Sequence, residues 1–120
     1  MSVRLLVVAV VAACLLSTAA RAHAFLVSAE PAVGSTMGHV PAALRLEFSE
    51  PLELAFSGIE MTDGSGSAVA LKAARFVDAT HKVIVTDLPI LSPGLYHLKW
   101  HVVSVDTHRT DGDYTFTVKP

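Results

Sequence analysis

The stretch Leu-Tyr-His-Leu-Lys-Trp-His-Val-Val, residues 95–103, alternates large apolar side chains with mostly polar ones. Successive side chains of a β-strand point to opposite sides of the sheet, so the even-numbered residues of this stretch share one face. That face is wholly apolar and consists of Tyr96, Leu98, Trp100 and Val102. The pattern predicts a long strand with one buried face.

The same alternation recurs on either side of this strand. Apolar residues alternate with polar ones at Leu44, Leu46 and Phe48, and again at Tyr114, Phe116 and Val118. Less regular strands are predicted at 25–28, 59–62, 68–76 and 82–86. About seven short strands separated by Gly and Pro turns predict an all-β domain: an antiparallel Greek-key β-sandwich or barrel of immunoglobulin-like type.

The first 22 residues are predicted to be a cleaved secretory signal peptide. Arg4 gives a positive start, residues 5–20 are almost wholly apolar, and Ala20-Arg21-Ala22 provides the small residues of a cleavage site. The mature domain is then 23–120, one domain in a chain of 120 residues. Two alternatives are a retained membrane anchor, for which the apolar run is short, and lipidation at Cys14.

Composition excludes several classes of function. The net charge is −2, and no basic patch suggests nucleic acid binding. Cys14 is the only cysteine, so the mature domain would contain no disulfide. Its stability must come from the core, with a bound metal as possible help.

Three residues form a candidate metal site. Cleavage after residue 22 would make His23 the first residue, with an α-amine and an imidazole that can chelate one ion. Asp106 and His108 are two positions apart, so in an extended backbone they share a face about 7 Å apart. Nitrogen donors with one carboxylate suit the tetragonal preference of Cu(II), although Zn(II) could use the same groups tetrahedrally.

The other histidines are weaker candidates. His97 and His101 would lie about 13 Å apart on a strand, too far to share an ion. His39 has only Met37 beside it as a second donor, and His81 is expected to be solvated in a polar loop.

Four motifs resemble the CopC family of periplasmic copper-resistance proteins over essentially the whole mature domain. They are SAEPAVGS at 28–35, FSEPL at 48–52, LSPGLY at 91–96 and WHVVSVDTH at 100–108, the last leading to Gly112 and Phe116. The resemblance implies a small β-barrel or sandwich that binds Cu(II) through His23, Asp106 and His108. It also implies a role for Glu50 near the copper, as a weak ligand or a partner of the ligands.

One segment departs from part of that family. Some members bind Cu(I) through a methionine-rich loop, whereas the corresponding connection here, residues 62–67, contains no methionine. Only Met37 and Met61 remain in the predicted mature domain. We therefore expect a Cu(II) site alone.

The sequence predicts a monomeric periplasmic Cu(II)-binding protein without catalytic activity. It would sequester copper or deliver it to a membrane transporter, and the resemblance implies an inner-membrane CopD-type partner. Two alternative functions are also compatible with the sequence. One is a histidine-brace copper oxidase or monooxygenase, and the other is a metal-free immunoglobulin-like adhesion or structural module.

Overall fold

The computed structural model describes residues 23–120, which form nine strands and one short 3-10 helix. The predicted signal peptide, with Cys14, lies outside the described residues. The strands are β1 Leu26–Glu30, β2 Thr36–Met37, β3 Ala43–Phe48, β4 Gly58–Asp63, β5 Ala68–Val69, β6 Arg75–Phe76, β7 Val83–Asp87, β8 Gly94–Val103 and β9 Arg109–Val118; the 3-10 helix is Leu54–Phe56. In this part of the chain, no helix has the length and apolar character needed to cross a membrane.

Two sheets make up the domain. One has four strands in the order β1-β3-β7-β6, and the other has five in the order β2-β9-β8-β4-β5. All neighbouring strands are antiparallel except β2 and β9, which run parallel. The predicted all-β fold of two sheets is confirmed.

The core lies between the two sheets and contains the apolar faces that the sequence predicted. The even-numbered residues of β8 from 96 to 102 are buried, as are the alternating apolar residues of β3 and β9. The Trp100 ring meets the Phe48 ring edge-on at 5.0 Å between centroids, and so joins the sheets. Tyr96 stacks on Phe116 at 5.5 Å within the larger sheet.

One predicted strand is wrong. Residues 68–76 do not form a single strand: β5 pairs with β4 in the larger sheet, whereas β6 pairs with β7 in the smaller one. The residues between them carry the chain from one sheet to the other, and the carbonyl of Lys72 accepts a hydrogen bond from the buried hydroxyl of Thr86 at 2.6 Å. The alternation in this segment therefore does not come from one strand paired along its length with a single neighbour.

The connection between β8 and β9 positions the candidate site. These strands pair over their full length, from Gly94 opposite Val118 to Val103 opposite Arg109. Ser104 extends the sheet by a bridge to Leu52, and only residues 105–108 then remain to reverse the chain. Asp106 and His108 are thus presented at one end of the sandwich by its longest hairpin.

Candidate metal centre

The loop containing Asp106 and His108 is a tight turn. The N–H of Thr107 donates to the carbonyl of Ser104 at 2.8 Å, and the N–H of Ser104 donates to the carbonyl of His108 at 3.0 Å. Thr107 has a φ of +74°, in the left-handed region that β-branched residues rarely adopt. The expectation of an extended backbone here is wrong, because the chain must reverse within this segment.

The turn places the two side chains in contact with each other. His108 Nδ1 lies 3.3 Å from Asp106 Oδ2. Both side chains remain about half exposed, at 51% for His108 and 42% for Asp106. They are therefore adjacent to one another and open to an incoming ion.

The carboxylate of Asp106 is held by its own turn. Its Oδ1 accepts hydrogen bonds from the hydroxyl of Ser104, which is buried, and from the N–H of His108 at 3.3 Å. The Ser104 hydroxyl is the main reason that the pKa of Asp106 lies below its usual range, with smaller contributions from His108. A lowered pKa keeps this group ionised, as a metal ligand must be.

His23 lies beside this pair, although it begins the described chain. Its ring stands edge-on to the ring of His108, with 4.7 Å between centroids and 85° between planes. The structure therefore brings together His23 with His108, and His108 with Asp106. Within residues 23–120, however, no three histidine, cysteine or acidic side chains converge as a ready-made metal site. Binding of one ion by all three residues would therefore require their exposed side chains to rotate.

Hydrogen bonds after His23 fix the start of the chain to the sandwich. The hydroxyl of Thr110 donates to the carbonyl of Ala24 at 2.7 Å. The N–H of Phe25 donates to the hydroxyl of Ser49 at 3.0 Å, and the carbonyl of Phe25 accepts from the N–H of Ser49 at 2.9 Å. Sequence reasoning did not identify Ser49 or Thr110, because their roles depend on contacts between residues distant in the chain. It did not identify Ser104 either, whose only signal is its position two residues before Asp106.

Glu50 lies between two segments that lead to the candidate site. Its neighbour Ser49 bonds to Phe25, and the carbonyl of its other neighbour, Pro51, accepts from the N–H of Val105 at 3.0 Å. Glu50 is half-buried at this junction. Its expected role near the metal stays a prediction.

Three of the other four histidines have different surroundings. His97 Nε2 lies 2.6 Å from Asp113 Oδ2 on the outer face of the larger sheet. The His101 ring covers Gly58 on the same face, where an added Cβ would lie 2.6 Å from its Cε1. His81 is exposed as expected, but its ring also stacks on Phe76 at 4.2 Å.

The two methionines of the described chain lie in different environments. Met61 is a core residue of β4, 2% exposed, and Met37 is a half-buried residue of β2. The β4–β5 turn is instead built around Asp63, whose Oδ1 accepts from the N–H and hydroxyl of Ser65 and from the N–H of Ser67. This turn is organised by carboxylate and serine groups.

Comparison with known proteins gives consistent matches. The model of the CopC domain family matches residues 26–119. Copper resistance protein C of Pseudomonas syringae pv. tomato is 42% identical over 111 residues, covering 88% of this chain and 87% of that protein.

Two crystal structures share the fold. CopC from Methylosinus trichosporium OB3b has a TM-score of 0.76 and 34% identity, covering 82% of this chain and 95% of that one. PcoC, described as a methionine-rich copper resistance protein from Escherichia coli, has a TM-score of 0.71 and 39% identity, covering 82% and 100%.

Proposed function

This chain belongs to the CopC family of copper-resistance proteins, and from that premise we propose that it binds Cu(II) through His23, Asp106 and His108. The observation that supports this proposal most strongly is the contact of the His23 ring with the His108 ring, beside the ionised carboxylate of Asp106. The two histidines are far apart in the sequence, and neither is needed to complete the core.

Family membership also bears on catalysis. CopC proteins are copper-binding resistance proteins and not enzymes. Family membership therefore argues against both a histidine-brace oxidase or monooxygenase and a metal-free adhesion module.

The donor set explains why we propose Cu(II) as the cargo. Two imidazoles, one carboxylate and the α-amine of a chain that begins at His23 would provide three nitrogens and one oxygen. Cu(II) favours such a set in a tetragonal arrangement, and it binds nitrogen and oxygen donors more tightly than the other divalent first-row metals. Zn(II) is the competitor to exclude, because tetrahedral sites use the same groups.

Processing is part of the proposal. Removal of residues 1–22 as a signal peptide would place the mature domain, 23–120, in the periplasm and create the free amine at His23. Exposed ligands at one end of a small domain suit a monomer that takes up copper and then releases it. We propose that it sequesters the ion or passes it to an inner-membrane CopD-type transporter, with Glu50 close to the copper.

Protein exported from a Gram-negative host with its own leader provides the test. Intact mass should show a chain beginning at His23, and titration should show one tightly bound Cu(II) that excess Zn(II) does not displace. A chain that begins at His23 and binds no Cu(II), or prefers Zn(II), would contradict the proposed function. A lipid adduct at Cys14 would contradict the proposed processing.

A further inference from the structure

We propose that Thr110 and Ser49 are positioning residues, which tie residues 24 and 25 to the sandwich and so hold His23 against His108 before any metal binds. The claim about positioning concerns the metal-free chain alone. Its consequence for copper affinity rests on the proposed function.

Thr110 connects the two halves of the candidate site. It is the second residue of β9, two positions after His108, and lies opposite the fully buried Val102 of β8. Its hydroxyl donates to the carbonyl of Ala24 at 2.7 Å. Strand β9, which follows His108, is therefore hydrogen-bonded to the backbone that follows His23.

Ala24 strengthens this connection. Its side chain is part of the hydrophobic core and is only 1% exposed. A residue with a buried methyl group and a hydrogen-bonded carbonyl has little freedom, although it is the second residue described. His23, exposed itself, is attached directly to this fixed point.

Ser49 secures the next residue. Its hydroxyl accepts from the N–H of Phe25, and its own N–H donates to the carbonyl of Phe25, at 3.0 and 2.9 Å. These bonds continue the pairing of β1 with β3, in which Leu26 lies opposite Phe48. The Phe25 side chain is 63% exposed, so the hydrogen bonds rather than apolar burial of that ring hold this residue.

Positioning of this kind has a physical value for a ligand at a chain end. The first residues of a domain are usually poorly ordered unless they are tied down. A donor on a frayed terminus must be ordered when the ion binds, whereas a donor whose backbone is already anchored needs only a side-chain rotation and avoids most of that entropic cost. The contact of the His23 and His108 rings is what such an anchored terminus should produce.

Nuclear Overhauser effects between the ring protons of His23 and His108, measured on the metal-free processed chain, test the positioning directly. Thr110→Val keeps the shape of the side chain but removes the hydroxyl, and Ser49→Ala removes the other hydroxyl. Thr110→Ser restores a donor at residue 110. Thr115→Val is the matched control, because Thr115 is exposed on the same strand.

We expect a nuclear Overhauser effect between the two rings in the wild type, Thr110→Ser and Thr115→Val. Its intensity should fall by half or more in Thr110→Val and Ser49→Ala. Should Thr110→Val not fold, Ser49→Ala decides the matter on its own. Persistence of the contact at wild-type strength in the folded Val and Ala variants would overturn the proposal.

Copper affinity tests the consequence. Loss of one hydrogen bond that orders a ligand should weaken Cu(II) binding about fivefold. A chain with one extra residue before a His23→Ala substitution lacks both donors of residue 23, and there Thr110→Val should cost nothing more. If Thr110→Val weakens Cu(II) binding equally in the extended His23→Ala chain, it does not act through His23. Unchanged Cu(II) affinity in a variant that has lost the ring contact would contradict a role through His23 as well. If the wild type shows the ring contact but binds no Cu(II), the proposed function fails while the positioning stands.

Discussion

The ring of His23 meets the ring of His108 at 4.7 Å between centroids, and this contact joins the first described residue to the turn between β8 and β9. Neither ring is required by the hydrophobic core. Three hydrogen bonds and the burial of Ala24 nevertheless fix the two residues that follow His23. A site that uses both histidines gives this arrangement a purpose.

The first prediction separates His108 from the histidines of the outer sheet face. His108→Ala should weaken Cu(II) binding by about a hundredfold or more, since loss of a ligand costs at least as much as loss of a group that orients one. His97→Ala and His101→Ala are the controls, because His97 pairs with Asp113 and His101 covers Gly58. Competition titration against a chelator of known affinity measures all three. Similar losses in the three variants would contradict the assignment.

The second prediction concerns the α-amine. One extra residue before His23 keeps both imidazoles and Asp106 but converts the amine to an amide, which is not basic. Because the amine is tethered to its own imidazole, we expect a loss of affinity of roughly a hundredfold. Isothermal titration of the processed and extended chains provides the comparison, and equal affinities would show that the amine is not a ligand.

The third prediction concerns the packing of Trp100. An added Cβ on Gly112 would lie 2.5 Å from the Trp100 ring, which is only 9% exposed and cannot easily move. Gly112→Ala should therefore lower the free energy of unfolding by about 1 to 3 kcal/mol. Urea denaturation measures this change.

Two glycine variants act as controls for that measurement. Gly38 has open space around its Cβ position, so Gly38→Ala should change stability by less than about 0.5 kcal/mol. Gly58→Ala meets only the half-buried ring of His101, which can rotate away, and should cost less than Gly112→Ala. The same loss at all three positions would contradict the packing argument.

The fourth prediction is a dependence of stability on pH at the β4–β5 turn. The hydroxyl of Ser65, followed by the N–H groups of Ser67 and Ser65, holds the pKa of Asp63 below its usual range. A carboxyl whose pKa is lowered by folding stabilises the fold above its unfolded value, about 3.9, and this contribution is lost as the pH falls through the folded pKa. The wild type should thus lose more stability than Asp63→Asn on acidification below about pH 4.

Urea denaturation at pH 7 and near pH 2.5 gives this comparison. The other carboxylates titrate in both proteins, so the difference between wild type and Asp63→Asn isolates the turn. A difference that stays constant between the two pH values would contradict the role of the ionised carboxylate.

The sequence predicts the structure correctly wherever one local pattern determines which residues are buried. The buried faces of β3, β8 and β9 follow from alternation, because a strand packed on one side needs an apolar residue at every second position. The prediction of one strand over residues 68–76 is wrong because this irregular alternation spans a change of pairing from one sheet to the other. Only the tertiary structure reveals such a crossing.

The candidate site likewise combines features that the sequence predicts with features that only the structure reveals. Spacing predicts the pair of Asp106 and His108, but the expected extended backbone is wrong, because the two side chains meet in a turn with Thr107 in the left-handed region. The bond from Thr110 to Ala24 joins residues 86 positions apart, so no sequence window contains it. Ser104, bonded to Asp106, could have been suspected only from its proximity in the chain.

The most direct test of the central claim is pulsed electron paramagnetic resonance of the processed chain with one equivalent of Cu(II). We expect a tetragonal Cu(II) signal coupled to two imidazoles, of which one is lost in His23→Ala and the other in His108→Ala, with both retained in His97→Ala. A signal that keeps both imidazoles in His23→Ala and in His108→Ala would place the copper elsewhere and contradict the site.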